Sequence, residues 1–417
     1  MADRVPDPGT GLRPLRLRAM MTQEELALKS GVGTRTVRDI ESGKVRPQPR
    51  TLRLLVAALG LGEPDRATLT GTTGRFAVPR ELPRVITAFA GREAHLDSLL
   101  TAVDDGASIV AVDGMAGIGK TSLAVRAAHA LASRYPDGQL FVNLRGFADA
   151  DRPRPDLASV LARVLRSLGV EDQGLFPGVD ELTGRYRSAV AGRRVLVVLD
   201  DAANAEEVEA LLPGTTDSLV LATSRRVLSP LAGACSVPLG LPPMWEAVAM
   251  LAAAATGRIS EEEAVLVADR CGRLPLAMGL AMARFRSRSH WRAADLLRRL
   301  EDDDRLLDEL DMGRRGVAAA LNASYLELDA AHRRLLRRLA LVPGGDVDAR
   351  VAAVRCGIDD KRAASMLESL ADVHLVETRS PGRFRLHDLV RLFAARLARQ
   401  EEADSEVDEA YLHLISV

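Results

Sequence analysis

Lysine is scarce in this chain of 417 residues. Of its 56 basic residues only four are lysines: Lys29, Lys44, Lys120 and Lys361. Cysteine is scarcer still. Cys235, Cys271 and Cys356 are far apart, show no metal-ligand spacing, and are odd in number, which argues against a disulfide scaffold and for reduced, buried thiols in a cytoplasmic protein. A net charge of −1 gives no global case for nucleic acid or membrane. The longest strongly apolar run, "AVAMLAAAA", is too short to span a bilayer, and the N-terminus lacks an apolar core of signal-peptide length. No internal repeat of fixed period occurs. The apolar content of 47% and charged content of 27% are those of a globular chain, and the length implies two to four domains.

What the chain does have is unevenly placed. Residues 12–66 carry eleven basic against six acidic side chains, whereas residues 401–417 carry six acids and no arginine or lysine. Residues 1–11 read as a flexible tail. Residues 12–62 read as short helices stopped by glycine, and 63–86 as a Gly-, Pro- and Thr-rich linker. From 87 to 238 strands alternate with helices: "SIVAVDG", "GQLFVNL", "RRVLVVLDD" and "DSLVLATSR" are the strands. This alternation predicts a mostly parallel sheet covered on both faces. Helices dominate 239–300. Residues 301–400 read as three helices closed by a hairpin with Ser-Pro-Gly at its turn, which suggests a winged helix. The expected fold is therefore multidomain α and α/β.

The one lysine of the α/β segment stands in "GMAGIGKTS", which fits G-x-x-x-x-G-K-[ST] between a strand and a helix. Gly114, Gly117 and Gly119 let backbone N–H groups approach phosphates without obstruction by a Cβ. Lys120 is a compact charge for the β- and γ-phosphates, the helix start adds its positive dipole end, and Thr121, next to Ser122, can ligate Mg²⁺. "RRVLVVLDD" ends a strand in Asp200 and Asp201, where one carboxylate can hold Mg²⁺ and the other can orient or deprotonate an attacking water. The alternative for that pair is an acidic helix cap. Arg225, closing "LATSR", can reach a γ-phosphate; its bland alternative is a solvated loop arginine.

These pieces, in this order over residues 85–400, resemble the NB-ARC ATPases of the STAND class, which include bacterial regulators of antibiotic production. The resemblance implies an ADP/ATP switch with Mg²⁺, a helical ARC1-like segment at 239–300 and an ARC2-like winged helix at 301–400. It assigns "FAGRE", with Phe89 and Arg92, to the adenine side. Pro275 of "CGRLPLAMGL" would contact adenine, and His387 of "RLHDL" would touch the β-phosphate of ADP. Leu386 stands where the family usually has methionine. The implied activity is a slow ATPase used as a switch, not a metabolic enzyme. Segment 401–417 would begin a linker toward the sensor array that the family usually carries.

Residues 21–61 resemble the helix-turn-helix of XRE-family regulators. Leu26, Val32, Val37 and Ile40 are placed to face inward, which leaves Thr34, Arg35 and Arg38 on the outer face of the second helix, for bases in the major groove. Gln23, Arg46 and Arg50 are placed for the DNA backbone. Three functions are compatible: a nucleotide-switched transcriptional regulator that binds an operator, a signalling or defence scaffold that oligomerises on ATP, and an ordinary ATP-dependent enzyme. No substrate domain or nucleophile constellation supports the third.

Overall fold

The computed structural model describes residues 12–42, 44–45, 47, 49–60, 78–85, 90–147, 153–170, 178–228, 231–313, 316–341 and 345–401. The chain divides into two compact units.

The N-terminal unit holds α1 (Leu12–Arg18), α2 (Gln23–Ser30), α3 (Thr34–Glu41) and α4 (Pro49–Leu59). Thr22 and Glu25 form a capping box that starts α2, and Gly31, in the left-handed region at φ 68°, ends it. Leu12, Leu15, Leu26, Val32, Val37, Ile40 and Leu55 are buried together, so the four inward positions read from the sequence do face the core. One polar cluster is sealed against it. Arg16 donates through Nε and Nη2 to both carboxylate oxygens of Glu41, at 2.6 and 3.1 Å, and Gln23 Nε2 donates to Glu41 Oε2 at 2.6 Å. Burial would raise the Glu41 carboxyl, but Arg16 and Gln23 outweigh it and hold the group below its ordinary value.

The larger unit is built on five parallel strands: β1 (Ile109–Asp113), β2 (Gly138–Asn143), β3 (Val195–Ala202), β4 (Leu219–Ser224) and β5 (Cys235–Pro238). Their order is β2-β3-β4-β1-β5. The near-continuous burial of β3 and β4 is that of strands covered on both faces. The covering helices are α5 (Glu93–Asp104), α6 (Lys120–Leu131), α7 (Leu157–Ser167), α8 (Val179–Val190) and α9 (Ala205–Ala210). Part of the expected linker belongs to this unit. Pro79 O accepts from Gln139 N–H at 2.7 Å and Glu81 N–H donates to Gln139 O at 2.9 Å, which pairs residues 79–81 with the free edge of β2.

Five helices follow: α10 (Met244–Ala255), α11 (Glu261–Arg270), α12 (Pro275–Arg286), α13 (Ala293–Leu300) and α14 (Asp303–Glu309). The last segment has α15 (Val317–Leu326), α16 (Ala330–Ala340), α17 (Ala349–Cys356), α18 (Asp360–Asp372), the hairpin β6 (Glu377–Ser380) and β7 (Arg383–Arg385), and α19 (Asp388–Glu401). Among the described residues of 301–400 five helices, α14 to α18, precede the hairpin, not three. Sheet, helical segment and winged helix share one continuous apolar core, from Val110 through Phe285 to Phe393. Cys271 lies inside it, where burial pushes its thiol up to about 12. Among the described residues no helix is long and apolar enough to cross a membrane.

Candidate nucleotide site and DNA-facing helix

β1 ends at Asp113 and the chain turns through the three glycines into α6. Gly114, Gly117 and Gly119 have φ of 153°, 80° and 104°, all in the region that favours glycine. At two of them space is also short. A Cβ on Gly114 would lie 2.5 Å from the Leu239 carbonyl oxygen, and one on Gly117 would lie 2.8 Å from Leu276 Cβ. Lys120 turns its ammonium back into this loop, donating to Gly114 O at 2.7 Å and Met115 O at 2.9 Å. Burial chiefly, and the Arg225 charge second, lower its pKa to about 7 against the pull of Asp201, Asp200 and Asp113.

The strand order explains why residues distant in sequence meet here. β4 lies between β1 and β3, so its end projects between the loop and the paired carboxylates. Thr121 Oγ1 donates to Asp200 Oδ1 at 2.6 Å, and Thr223 Oγ1 donates to the same oxygen at 2.8 Å. Burial raises the Asp200 carboxyl, and these two hydroxyls oppose it. Asp201 occupies a left-handed position, φ 58°, where the β3 register shifts, and Thr223 Oγ1 accepts its backbone N–H at 3.0 Å. Arg225 Nε donates to Asp201 Oδ1 at 3.0 Å, and its Nη1 donates to Ala320 O at 2.9 Å on α15.

A cavity of about 630 Å³ opens beside these groups, lined by Gly117, Gly119, Lys120, Thr121, Ser122, Asp201, Thr223 and Arg225 on its polar side. Pro275 with Met250, Leu251, Met278 and Met282 from α10 and α12 makes the apolar side. Arg92 also lines it. Its Nε and Nη1 are buried without a hydrogen-bond partner in the protein, while Nη2 donates to Ile118 O at 3.4 Å and its backbone N–H donates to Glu246 Oε2 at 3.3 Å. Burial, only partly offset by Glu246, lowers the Arg92 pKa. The residues fit a nucleoside phosphate. The cavity has an apolar half for a base, a glycine cradle and lysine for phosphates, and orphan guanidinium donors waiting for an acceptor. Thr121 lines the cavity and Asp200 lies behind it, on the threonine hydroxyl, so Mg²⁺ would be held by that hydroxyl and carboxylate together. Among the described residues no cluster of three or more His, Cys, Asp or Glu could hold a metal ion.

His387 is not among these residues. It lines a second cavity, and its ring is fully used: Nδ1 accepts Leu389 N–H at 3.1 Å and Nε2 lies 2.9 Å from Gly272 O. In this arrangement no ring nitrogen is left for a phosphate. The histidine reaches the loop indirectly, because Gly272 leads to Leu276, whose N–H donates to Gly117 O at 3.1 Å. Thr223, Glu246 and the α15 acceptor of Arg225 are site residues that motif reading missed. Thr223 alone had a signal, since it precedes Arg225 by two at a strand end. Phe89 lies outside the described residues.

On the N-terminal unit Arg35 and Arg38 are exposed on α3 and Thr34 is half-buried at its start. Gln23, half-buried at the start of α2, donates one amide N–H to Glu41 within the unit. Arg46 lies outside the described residues, as does the side chain of Arg50.

A helix-turn-helix family model matches residues 12–65 and an NB-ARC domain model matches residues 92–234. The chain is an NB-ARC protein of the STAND class of P-loop NTPases with an N-terminal helix-turn-helix unit. It is similar to the regulatory protein AfsR of Streptomyces coelicolor, 38% identical over 364 residues, which cover 84% of this chain and 36% of that protein. The chain thus spans about a third of the length of the curated relatives it matches. The disease resistance protein RML1A of Arabidopsis thaliana is 25% identical over 334 residues, 76% of this chain and 32% of that one. Among solved structures, the Walker-type ATPase paby2304 of Pyrococcus abyssi has the same fold, with a TM-score of 0.53 at 14% identity, covering 74% of this chain and 96% of that chain.

Proposed function

We propose that this protein is a cytoplasmic transcriptional regulator that binds operator DNA through α3 and is switched by exchange of ADP for ATP with Mg²⁺. The observation that carries the reading is the position of Arg225. Its guanidinium is shared between Asp201, beside Lys120 in the phosphate cavity, and the α15 backbone of the winged helix. A γ-phosphate would compete for that guanidinium with the carbonyl of Ala320 and the hydroxyl of Ser324, which it meets at 2.9 and 3.4 Å. ATP would therefore loosen the winged helix, whereas ADP would leave it docked. Such differential binding is what lets a ligand shift a two-state equilibrium. In this reading the described arrangement is the closed, ADP-type form. Asp200 and Thr121 hold the cation, which neutralises phosphate charge, and Asp201 orients water for slow hydrolysis. His387 stabilises the closed form by pinning Gly272, with Pro275 and Leu276 against base and loop. The second reading, a scaffold that oligomerises on ATP and recruits protein partners, shares this switch. Selection from random duplexes with residues 1–70 separates the two: an enriched motif supports the regulator, and none favours the scaffold.

A further inference from the structure

Asp113 is the last residue of β1 and the neighbour of Gly114, whose carbonyl receives the Lys120 ammonium. Its charge favours the protonated form of Lys120, but its own contacts lie on the other side of the loop. It is 2% exposed. Ser236 Oγ on β5 donates to its Oδ2 at 3.2 Å. Its other oxygen, Oδ1, faces His374 Nε2 at 3.0 Å, close enough for an ion pair although out of hydrogen-bond alignment. His374 comes from the winged helix, in the turn between α18 and β6, and is held in the left-handed region at φ 53° between buried Val373 and Leu375. The end of α18 just before this turn is tied a second time, to the segment that follows β4, by Val227 N–H donating to Asp372 O at 2.9 Å.

The pair lies on the wall of the second cavity, of about 630 Å³. The other charged groups lining it are spoken for or at its rim. Glu377 and Arg379 on β6 pair with each other at 3.2 Å, and Arg273 donates to Pro242 O at 3.4 Å. Glu368 and Asp372 on α18 are exposed. His387 is kept neutral, because burial lowers its pKa and Leu389 N–H occupies Nδ1. Asp113 is thus the buried carboxylate of the cavity, and His374 is the basic side chain that meets it.

We propose that Asp113 and His374 form a proton-controlled latch between the phosphate loop and the winged helix. An imidazolium holds the buried carboxylate, and with it the loop residue that positions Lys120. Loss of the proton leaves the carboxylate with one hydroxyl donor, and the turn bearing His374 comes away more readily. Both residues act through others and are positioning residues. The proposal rests on the reading that nucleotide retention and winged-helix docking are coupled.

The test compares the full chain with His374→Gln, Asp113→Asn and the double variant from pH 5.5 to 8. Hydrogen exchange at the Val227 amide, corrected for intrinsic rates, reports the turn without nucleotide. ADP release, measured with a fluorescent ADP analogue, reports the loop. In the wild type both should speed up about fivefold as pH rises, the size of a partly exposed ion pair. Each single variant should start fast and its Val227 exchange should be flat with pH; in the ADP readout the Lys120 titration remains, and it moves down where Asp113→Asn removes a charge that favours the lysine proton. The double variant should be no faster than either single. Equal pH dependence of Val227 exchange in wild type and His374→Gln overturns the latch, as do additive single effects. Failure of ADP to bind while Val227 behaves as expected would instead count against the nucleotide reading and leave the latch supported.

Discussion

Lys120 gives the sharpest physical expectation. Its pKa is lowered to about 7 while it faces two carbonyl oxygens, three acids and Arg225 in a buried loop. A neutral amine still has the two N–H groups needed for both carbonyls, so the loop tolerates either form. At pH 8, one unit above that value, about one-tenth of the lysine carries its proton. Phosphates in the cavity would favour the charged form and restore it. Binding of ADP without Mg²⁺ should therefore take up about 0.9 proton at pH 8 and about 0.5 at pH 7. The terminal phosphate of ADP is already ionised at pH 8 and adds little. Calorimetry in buffers of different ionisation enthalpy measures this directly. Uptake near zero at pH 8, or net release, would refute the account of Lys120. The same shift has a sign for stability. The native site holds fewer protons than the unfolded chain between pH 7 and the ordinary lysine value of 10.5, so stability without nucleotide should rise with pH across that window.

Other expectations follow from single contacts. Lys120→Ala should abolish nucleotide binding, read by the same calorimetry. Asp201→Asn should leave ATP affinity near wild type but slow turnover at least about a hundredfold if the carboxylate orients water; equal turnover rules that role out. Glu41→Ala leaves Arg16 buried without its partner and should lower the stability of the N-terminal unit by about 3–5 kcal/mol in chemical unfolding. Because the Glu41 pKa is lowered, its contribution is present above the ordinary glutamate value and is lost as pH falls through the folded one. Arg35→Ala and Arg38→Ala should change sequence preference in duplex selection, whereas Arg50→Ala should weaken all sequences alike. His387→Ala removes the tie to Gly272 and should speed ADP release more than ATP release. A lower melting temperature with wild-type ADP release would instead make His387 merely structural.

The phosphate loop was legible because three glycines in eight residues have a backbone reason, and their positive φ values are that reason. The paired aspartates and Arg225 were legible as polar ends of apolar strands. What strand reading alone did not reveal was the insertion of β4 between β1 and β3, which brings Thr223 onto Asp200, because parallel pairing is fixed by long-range contacts. β5 escaped notice because Cys-Ser-Val-Pro is four residues long with only Val237 buried. The docking of residues 79–81 was hidden by prolines that look like linker but sit at a sheet edge, where a missing N–H costs nothing. The partners of His387 and Gln23 were not legible, since a short motif says which residue is present and not which acceptor lies across the fold.

The central claim is that nucleotide state controls DNA binding. It is tested by the affinity of the full chain for a duplex selected with residues 1–70, measured by fluorescence anisotropy with ADP and with a non-hydrolysable ATP analogue plus Mg²⁺. The account predicts binding at least about tenfold tighter in the ATP-analogue state, a difference of about 1.4 kcal/mol. Equal affinity in the two states would contradict it.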